Sequence, residues 1–186
     1  KPIDLKFKGG STLLERSILE ALNDPLMHLV RNAFDHGIEP SAVRRASGKT
    51  ATGTIEIGAN YRGNQTIITI KDDGGGIDLD KIRAKVVKTG ISETEVATYT
   101  DQGLTNLIFE PGFSTAAKVT DLSGRGVGMD VVRTNIQSLR GDVFVDTKLG
   151  KGTTFTITVP FTLSVVRVLL VEVNGLWLAI PSNIVE

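Results

Sequence analysis

The sequence predicts an α/β domain, and three observations carry that prediction. Several stretches place apolar residues at helical spacing. Two others alternate apolar and polar residues around glycine-containing turns, the pattern of hairpins. The two kinds of stretch interleave along the chain, with a boundary near residues 161–164, beyond which only strand-like sequence follows.

Residues 1–10 read as a linker. Leu14, Ile18 and Leu22, then Leu26, Leu29, Val30 and Ala33, predict helices over 11–22 and 25–34. Asp24-Pro25 predicts a fresh helix start, because Asp caps free N–H groups and Pro is tolerated in the first turn. Gly37 is a natural C-terminal stop. Residues 54–60 and 65–71 predict a hairpin turned at Arg62-Gly63-Asn64. Helices are expected over 79–89 and 101–108. Residues 109–126 are rich in Gly, Ser, Thr and Pro, and a loop that long in a compact domain is usually functional or mobile. A helix over 126–139 turns Val127, Val131, Val132, Ile136 and Leu139 inward. Residues 142–148 and 153–160 predict a second hairpin, turned by Gly150-Lys151-Gly152. The last stretch, 165–180, predicts two strands around Asn174-Gly175.

Bulk properties bound the function. With 186 residues, 40% hydrophobic and 23% charged, the chain has the length and balance of one substantial globular domain plus part of another. Lys+Arg and Asp+Glu are 21 each, a zero net charge that argues against nucleic acid as the main partner. There is no cysteine, which removes thiolate and disulfide chemistry and fits a reducing, cytoplasmic setting. No apolar run approaches the roughly 18 residues a membrane span needs, so no direct membrane insertion is expected. The start lacks a signal-peptide core and an initiator Met, so the chain is expected to be a piece of a longer protein.

Four short motifs follow one another in order. The first is His28-Leu-Val-Arg-Asn32-Ala-Phe-Asp-His36, with His28 and Asn32 on one helix face. An Asn side-chain oxygen suits Mg²⁺, and a His one turn earlier suits proton transfer near neutral pH. The same residues also suit a solvated helix face. The second is Asp72-Asp-Gly74-Gly-Gly76, where glycines admit a flat ligand and Asp72 can accept a hydrogen bond from an adenine amino group. A tight strand-to-helix turn explains it equally well.

The third motif is Phe113-Ser114-Thr115 and the fourth is Gly124-Arg125-Gly126-Val127-Gly128, which opens a helix ahead of Met129. Free N–H groups at a helix start bind phosphate, and Ser114 and Thr115 are candidate phosphate donors. Lys81 and Lys85, one turn apart, are candidate counter-charges, although such faces are often only solvated. The dinucleotide fingerprint fails, because position 79 is Leu79. Gly48-Lys49-Thr50 resembles the end of a phosphate loop, but Val43 stands where the upstream glycine is required.

An asparagine helix, an Asp-Gly turn, a lid and a glycine-rich helix start resemble the ATPase fold of gyrase, MutL, Hsp-type chaperones and sensor histidine kinases. Residues 24–39, 110–115 and 123–132 closely resemble the chemotaxis histidine kinase (CheA) family, and the likeness covers about 11–162. It implies a two-layer sandwich, a mixed and mainly antiparallel sheet covered by helices on one face. It implies ATP and Mg²⁺ as cofactors, Asn32 as metal ligand and His28 near the γ-phosphate as the catalytic group. His36 would fall in the nucleotide site, Asp72 would contact adenine, and the glycines at 124, 126 and 128 would cradle phosphates under a lid at 110–123. Residues 163–186 resemble the opening of a regulatory domain like the CheW coupling protein.

The implied partners are a histidine phosphotransfer domain of the same kinase, acting in trans within a dimer, and response regulators indirectly. A CheW-like coupling protein and chemoreceptors would engage through the regulatory domain. Gly75 and Ala116 depart from the family pattern, standing where an Arg and a phosphate-contacting Lys are common, with Lys118 as a possible substitute for the latter. A gyrase-type ATPase would carry an acidic base where His28 stands. A non-catalytic nucleotide-binding scaffold is the alternative of another class.

Overall fold

The computed structural model describes residues 1–113, 128–160, 168–173 and 175–181. Its elements are β1 (Ile3–Lys8), α1 (Arg16–Asn32), a π-helical turn (Ala33–Gly37), α2 (Ser41–Ala46), β2 (Gly53–Arg62) and β3 (Gln65–Asp72). After these come α3 (Leu79–Lys88), α4 (Glu93–Val96), α5 (Asp101–Asn106), a 3₁₀ turn (Leu107–Phe109) and α6 (Met129–Ser138). The hairpins β4 (Asp142–Lys148) with β5 (Gly152–Pro160), and β6 (Val168–Val173) with β7 (Leu176–Pro181), follow.

Five strands form one sheet in the order β1-β2-β3-β5-β4. β1 runs parallel to β2, and every other neighbouring pair is antiparallel, so the sheet is mixed but mainly antiparallel. β6 and β7 form a separate two-stranded sheet. Ile68 and Ile70 of β3, Val143 and Val145 of β4, and Phe155, Ile157 and Val159 of β5 point one way. They meet Ile18, Leu22 and Leu29 of α1 and Val132 and Ile136 of α6 in one continuous core. The opposite sheet face is mostly polar, with Phe144 exposed on it, and carries the ion pair of Lys8 with Glu56 at 2.9 Å. Helices on one face and solvent on the other give the two-layer arrangement expected. A smaller core joins Ile82 and Val86 of α3, Val96 of α4, Leu104 of α5 and Phe113.

Three expectations are corrected. Residues 1–10 are not only a linker, because they contain β1, whose Ile3, Leu5 and Phe7 alternate with Asp4, Lys6 and Lys8 and pair in register with β2. No new helix begins at Asp24-Pro25; α1 starts at Arg16 and runs through Pro25 to Asn32. An interior proline costs about 3 kcal/mol of helix propensity, but Pro25 is buried in one stripe with Ile18, Leu22 and Leu29, and that packing outweighs the cost. Nor does Gly37 end an α-helix directly: the chain first widens into the π turn, closed by Ile38 N–H on the Ala33 carbonyl at 2.8 Å.

Candidate functional site

β3 sends Thr66, Ile68, Ile70 and Asp72 inward in turn, so its last inward position is a carboxylate at the rim of the core. Asp72 is 3% exposed. Its Oδ1 accepts the Gly74 N–H at 2.9 Å, and the Thr153 backbone N–H adds a second bond. Burial pushes the carboxyl above its ordinary value; the two backbone donors pull it back only in part, and the neighbouring Asp73 charge adds to the rise. A desolvated acid with acceptor capacity at the edge of a turn is a recognition group in waiting.

The turn is stitched to the end of the α1 segment. Gly75 N–H donates to the Gly37 carbonyl at 2.9 Å, and Gly150 N–H donates to the Gly75 carbonyl at 2.7 Å. A Cβ on Gly74 would lie 2.1 Å from the Gly37 oxygen, and one on Gly37 would press on the Asp72 carboxylate at 3.1 Å. Gly76 has φ +73° with the Lys148 oxygen 2.4 Å from where a Cβ would stand. The glycine-rich pattern is thus a requirement of close backbone approach.

His28 and Asn32 are both half-buried on α1. Asn32 Nδ2 donates to Met129 Sδ at 3.2 Å, which ties the end of α1 to the first residue of α6. With the amide nitrogen so engaged, Oδ1 remains a hard oxygen donor of the kind Mg²⁺ takes alongside water and phosphate oxygens. Among the described residues no group of three or more His, Cys, Asp or Glu is placed to hold a metal. Burial first, then the charges of Arg31 and His36, hold the His28 imidazole below its ordinary value, so it is neutral and able to accept a proton at neutral pH. Gly128 precedes α6 without a side-chain cap, and a Cβ there would meet the Asp130 carboxylate oxygen at 2.2 Å.

The remaining expected residues among those described lie on other elements. His36 is exposed in the π turn. Lys81 pairs with Asp78 at 3.3 Å across the first turn of α3. Lys85 sits 4.8 Å over the Phe113 ring. Ser114, Thr115, Gly124, Arg125, Gly126 and Val127, and most of the expected lid, lie outside the described residues.

The family model of the histidine kinase-, DNA gyrase B- and HSP90-like ATPases matches residues 21–163, the greater part of the chain. The chain belongs to that family. It is 48% identical over its full length to the chemotaxis protein CheA of Halobacterium salinarum and 45% identical to the sensor histidine kinase CheAY of Helicobacter pylori. It spans 28% and 23% of those two proteins. Two solved structures share the fold. A blue-light activated histidine kinase of Erythrobacter litoralis matches 87% of this chain and 36% of its own at TM-score 0.54 and 17% identity. The catalytic domain of histidine kinase ThkA matches 86% of this chain and 79% of its own at TM-score 0.50 and 19% identity.

In this ATPase-family chain the turn has a charged support that the motifs did not announce. Arg44 of α2 is 1% exposed. Its Nη2 meets Asp73 Oδ2 at 2.9 Å and its Nη1 meets Glu39 Oε2 at 3.1 Å. Lys49 Nζ joins Glu39 Oε1 at 2.7 Å. Burial pushes the Glu39 carboxyl up, but the bonds from Lys49 and Arg44 outweigh it and hold the group below its ordinary value. Lys49 belongs to the Gly48-Lys49-Thr50 triplet that failed as a phosphate loop. The remaining sequence signal was an arginine in a six-residue helix, on which spacing alone is silent.

Proposed function

We propose that the chain is the ATP-binding catalytic domain of a CheA-like histidine autokinase. The carrying observation is the junction at Gly37, where the helix bearing His28 and Asn32 is stitched to the turn bearing the buried Asp72. Asp72 accepts from the adenine amino group. Asn32 Oδ1 would hold Mg²⁺, which would supply charge neutralisation for the triphosphate, and Gly128 and Met129 at the start of α6 would lie on the phosphate side. A substrate imidazole nitrogen attacks the γ-phosphorus in line, the bond to the ADP oxygen breaks, and the imidazole proton passes toward neutral His28. Placement and charge neutralisation carry most of the rate.

The acceptor histidine belongs to a separate phosphotransfer domain, presented in trans within a dimer. Response regulators take the phosphoryl group afterwards. Residues 163–186 begin a CheW-like regulatory domain through which a coupling protein and chemoreceptors act, in the cytoplasm.

The test is phosphotransfer from γ-labelled ATP to an isolated CheA-type phosphotransfer domain. Label should reach that domain, with negligible ATP hydrolysis by the chain alone. Brisk hydrolysis without transfer would put a gyrase-type ATPase in its place. Nucleotide binding with neither reaction would make the chain a scaffold.

A further inference from the structure

We propose that Lys49 and Arg44 are positioning residues for base recognition, gripping one peptide unit of the nucleotide turn so that its opposite end orients the Asp72 carboxylate. The inference rests on the reading of Asp72 as the adenine-recognition group. It concerns how that group is aimed.

The peptide between Asp73 and Gly74 is the object gripped. Lys49 Nζ donates to the Asp73 carbonyl at 3.0 Å, and Arg44 Nη1 donates to the same oxygen at 3.1 Å. The unit is trans, as are all peptides among the described residues, so its C=O and N–H point in opposite directions. Two charged donors on the oxygen therefore turn the Gly74 N–H the other way, where it meets Asp72 Oδ1 at 2.9 Å. Lys49 also holds the next carbonyl, that of Gly74, at 2.6 Å. The turn is thereby fixed at two successive oxygens.

The cations are themselves over-determined. Glu39 takes Arg44 on one oxygen and Lys49 on the other. Arg44 Nε donates to the Thr50 carbonyl at 2.8 Å and Nη2 to that of Thr52 at 3.3 Å. Asp73 Oδ1 accepts the Thr54 N–H at 2.9 Å, which anchors the turn to β2. Every donor nitrogen of Arg44 is thus engaged with protein, and such a group holds other groups in place; it has no donor left for a ligand. Charged donors make the stronger hydrogen bonds, and outside solvent they lose little to screening.

The consequence is selectivity. A carboxylate aimed at an amino donor favours adenine over hypoxanthine, which carries a carbonyl at that position. Loosening the grip should cost ATP more than ITP, because the two share the same ribose and triphosphate. A merely structural role would weaken both alike.

The experiment is calorimetric titration of the 186-residue chain and its Lys49→Met variant with ATP and with ITP in the presence of Mg²⁺. A recess of about 340 Å³ borders Lys49, so methionine can be accommodated without overpacking. Lys49→Met should lose about tenfold in ATP affinity, the scale of one charged hydrogen bond, and less than about twofold for ITP. Lys49→Arg should recover most of the ATP/ITP ratio. Should Lys49→Met fail to fold, Lys49→Gln reads the same ratio.

A parallel loss for both nucleotides, or an unchanged ATP affinity, overturns the proposal. Asp72→Asn separates the two ideas. If it collapses the ratio while Lys49→Met does not, positioning alone is wrong. If Asp72→Asn leaves the ratio intact, base recognition by Asp72 is wrong and the positioning proposal falls with it.

Discussion

At the Asp72 end of the site, a buried carboxylate is held by two backbone N–H groups, and the turn behind it is held by a buried arginine and a half-buried lysine. At the Asn32 end, a half-buried amide touches one thioether sulfur at 3.2 Å, a weak acceptor. The first end has its geometry before any ligand arrives. The second has a hard oxygen donor and a helix start with no side-chain cap among the described residues. On the proposed function this difference would divide the labour: the base end would read a rigid, neutral ring, and the phosphate end would accommodate a cation and a group that must leave.

The largest effect that breaks this comparison is on stability. Arg44→Met removes the buried cation shared by Asp73 and Glu39; with Asp73 partly exposed and Glu39 still paired to Lys49, it should cost about 2–4 kcal/mol, toward the low end for a broken buried charged pair. Met129→Leu keeps the volume at the other end and should cost less than about 1.5 kcal/mol. Urea titration of both variants measures the two values. Equal costs would mean that the two ends are not built differently.

Much of this was legible beforehand, and the limits are physical. The alternation along β3 runs Thr66, Ile68, Ile70, Asp72, so parity alone places Asp72 on the core side. The same parity in Ile3, Leu5 and Phe7 announces β1, yet these residues stay at least 39% exposed at a sheet edge, and an uncovered strand reads like a linker. Pro25 misleads because local propensity cannot weigh the core that buries it. The Arg44 network was illegible for a different reason. Its partners lie 5 residues away at Glu39 and 29 away at Asp73, and only the fold brings them together. The Asn32 contact spans 97 residues to Met129; both ends lie at motifs, but spacing alone does not pair them.

A second prediction concerns proton transfer at the Asn32 end. The folded-state value of His28 is lowered from 6.5, so the folded chain binds fewer protons than the unfolded chain below that pH. The stability linked to His28 is therefore full above 6.5 and falls as pH drops below it toward the lowered value. The neutral form persists over the same interval, so the acid limb of transfer due to His28 should lie below pH 6.5. His28→Ala should slow transfer by about 10²–10⁴-fold, the range for a general base, with ATP affinity changed by less than about twofold. Profiles of the two proteins with the same acceptor domain isolate the His28 limb. Identical profiles would reduce His28 to part of the helix face.

The smallest expected effect is the sharpest test of how local the rigidity is. Gly74 and Gly75 are adjacent, yet a Cβ on Gly74 would lie 2.1 Å from a backbone oxygen, whereas one on Gly75 meets nothing closer than Glu39 atoms at 3.8 Å. Gly75 is only half-buried and its φ lies outside the left-handed region, so an ordinary side chain fits. Gly75→Arg should change stability by less than about 0.5 kcal/mol, as surface substitutions usually do. It also places a third cation beside Glu39, which already serves Arg44 and Lys49. If the Lys49 grip sets the turn, the ATP/ITP ratio of Gly75→Arg should stay within about twofold of the parent, because neither Asp73 nor Gly74 loses its carbonyl donors. A collapse of that ratio with stability intact would mean that Glu39, shared among three cations, governs the turn through its charge. The rigidity of the base end would then belong to the whole cluster, and the peptide unit between Asp73 and Gly74 would be only one part of it.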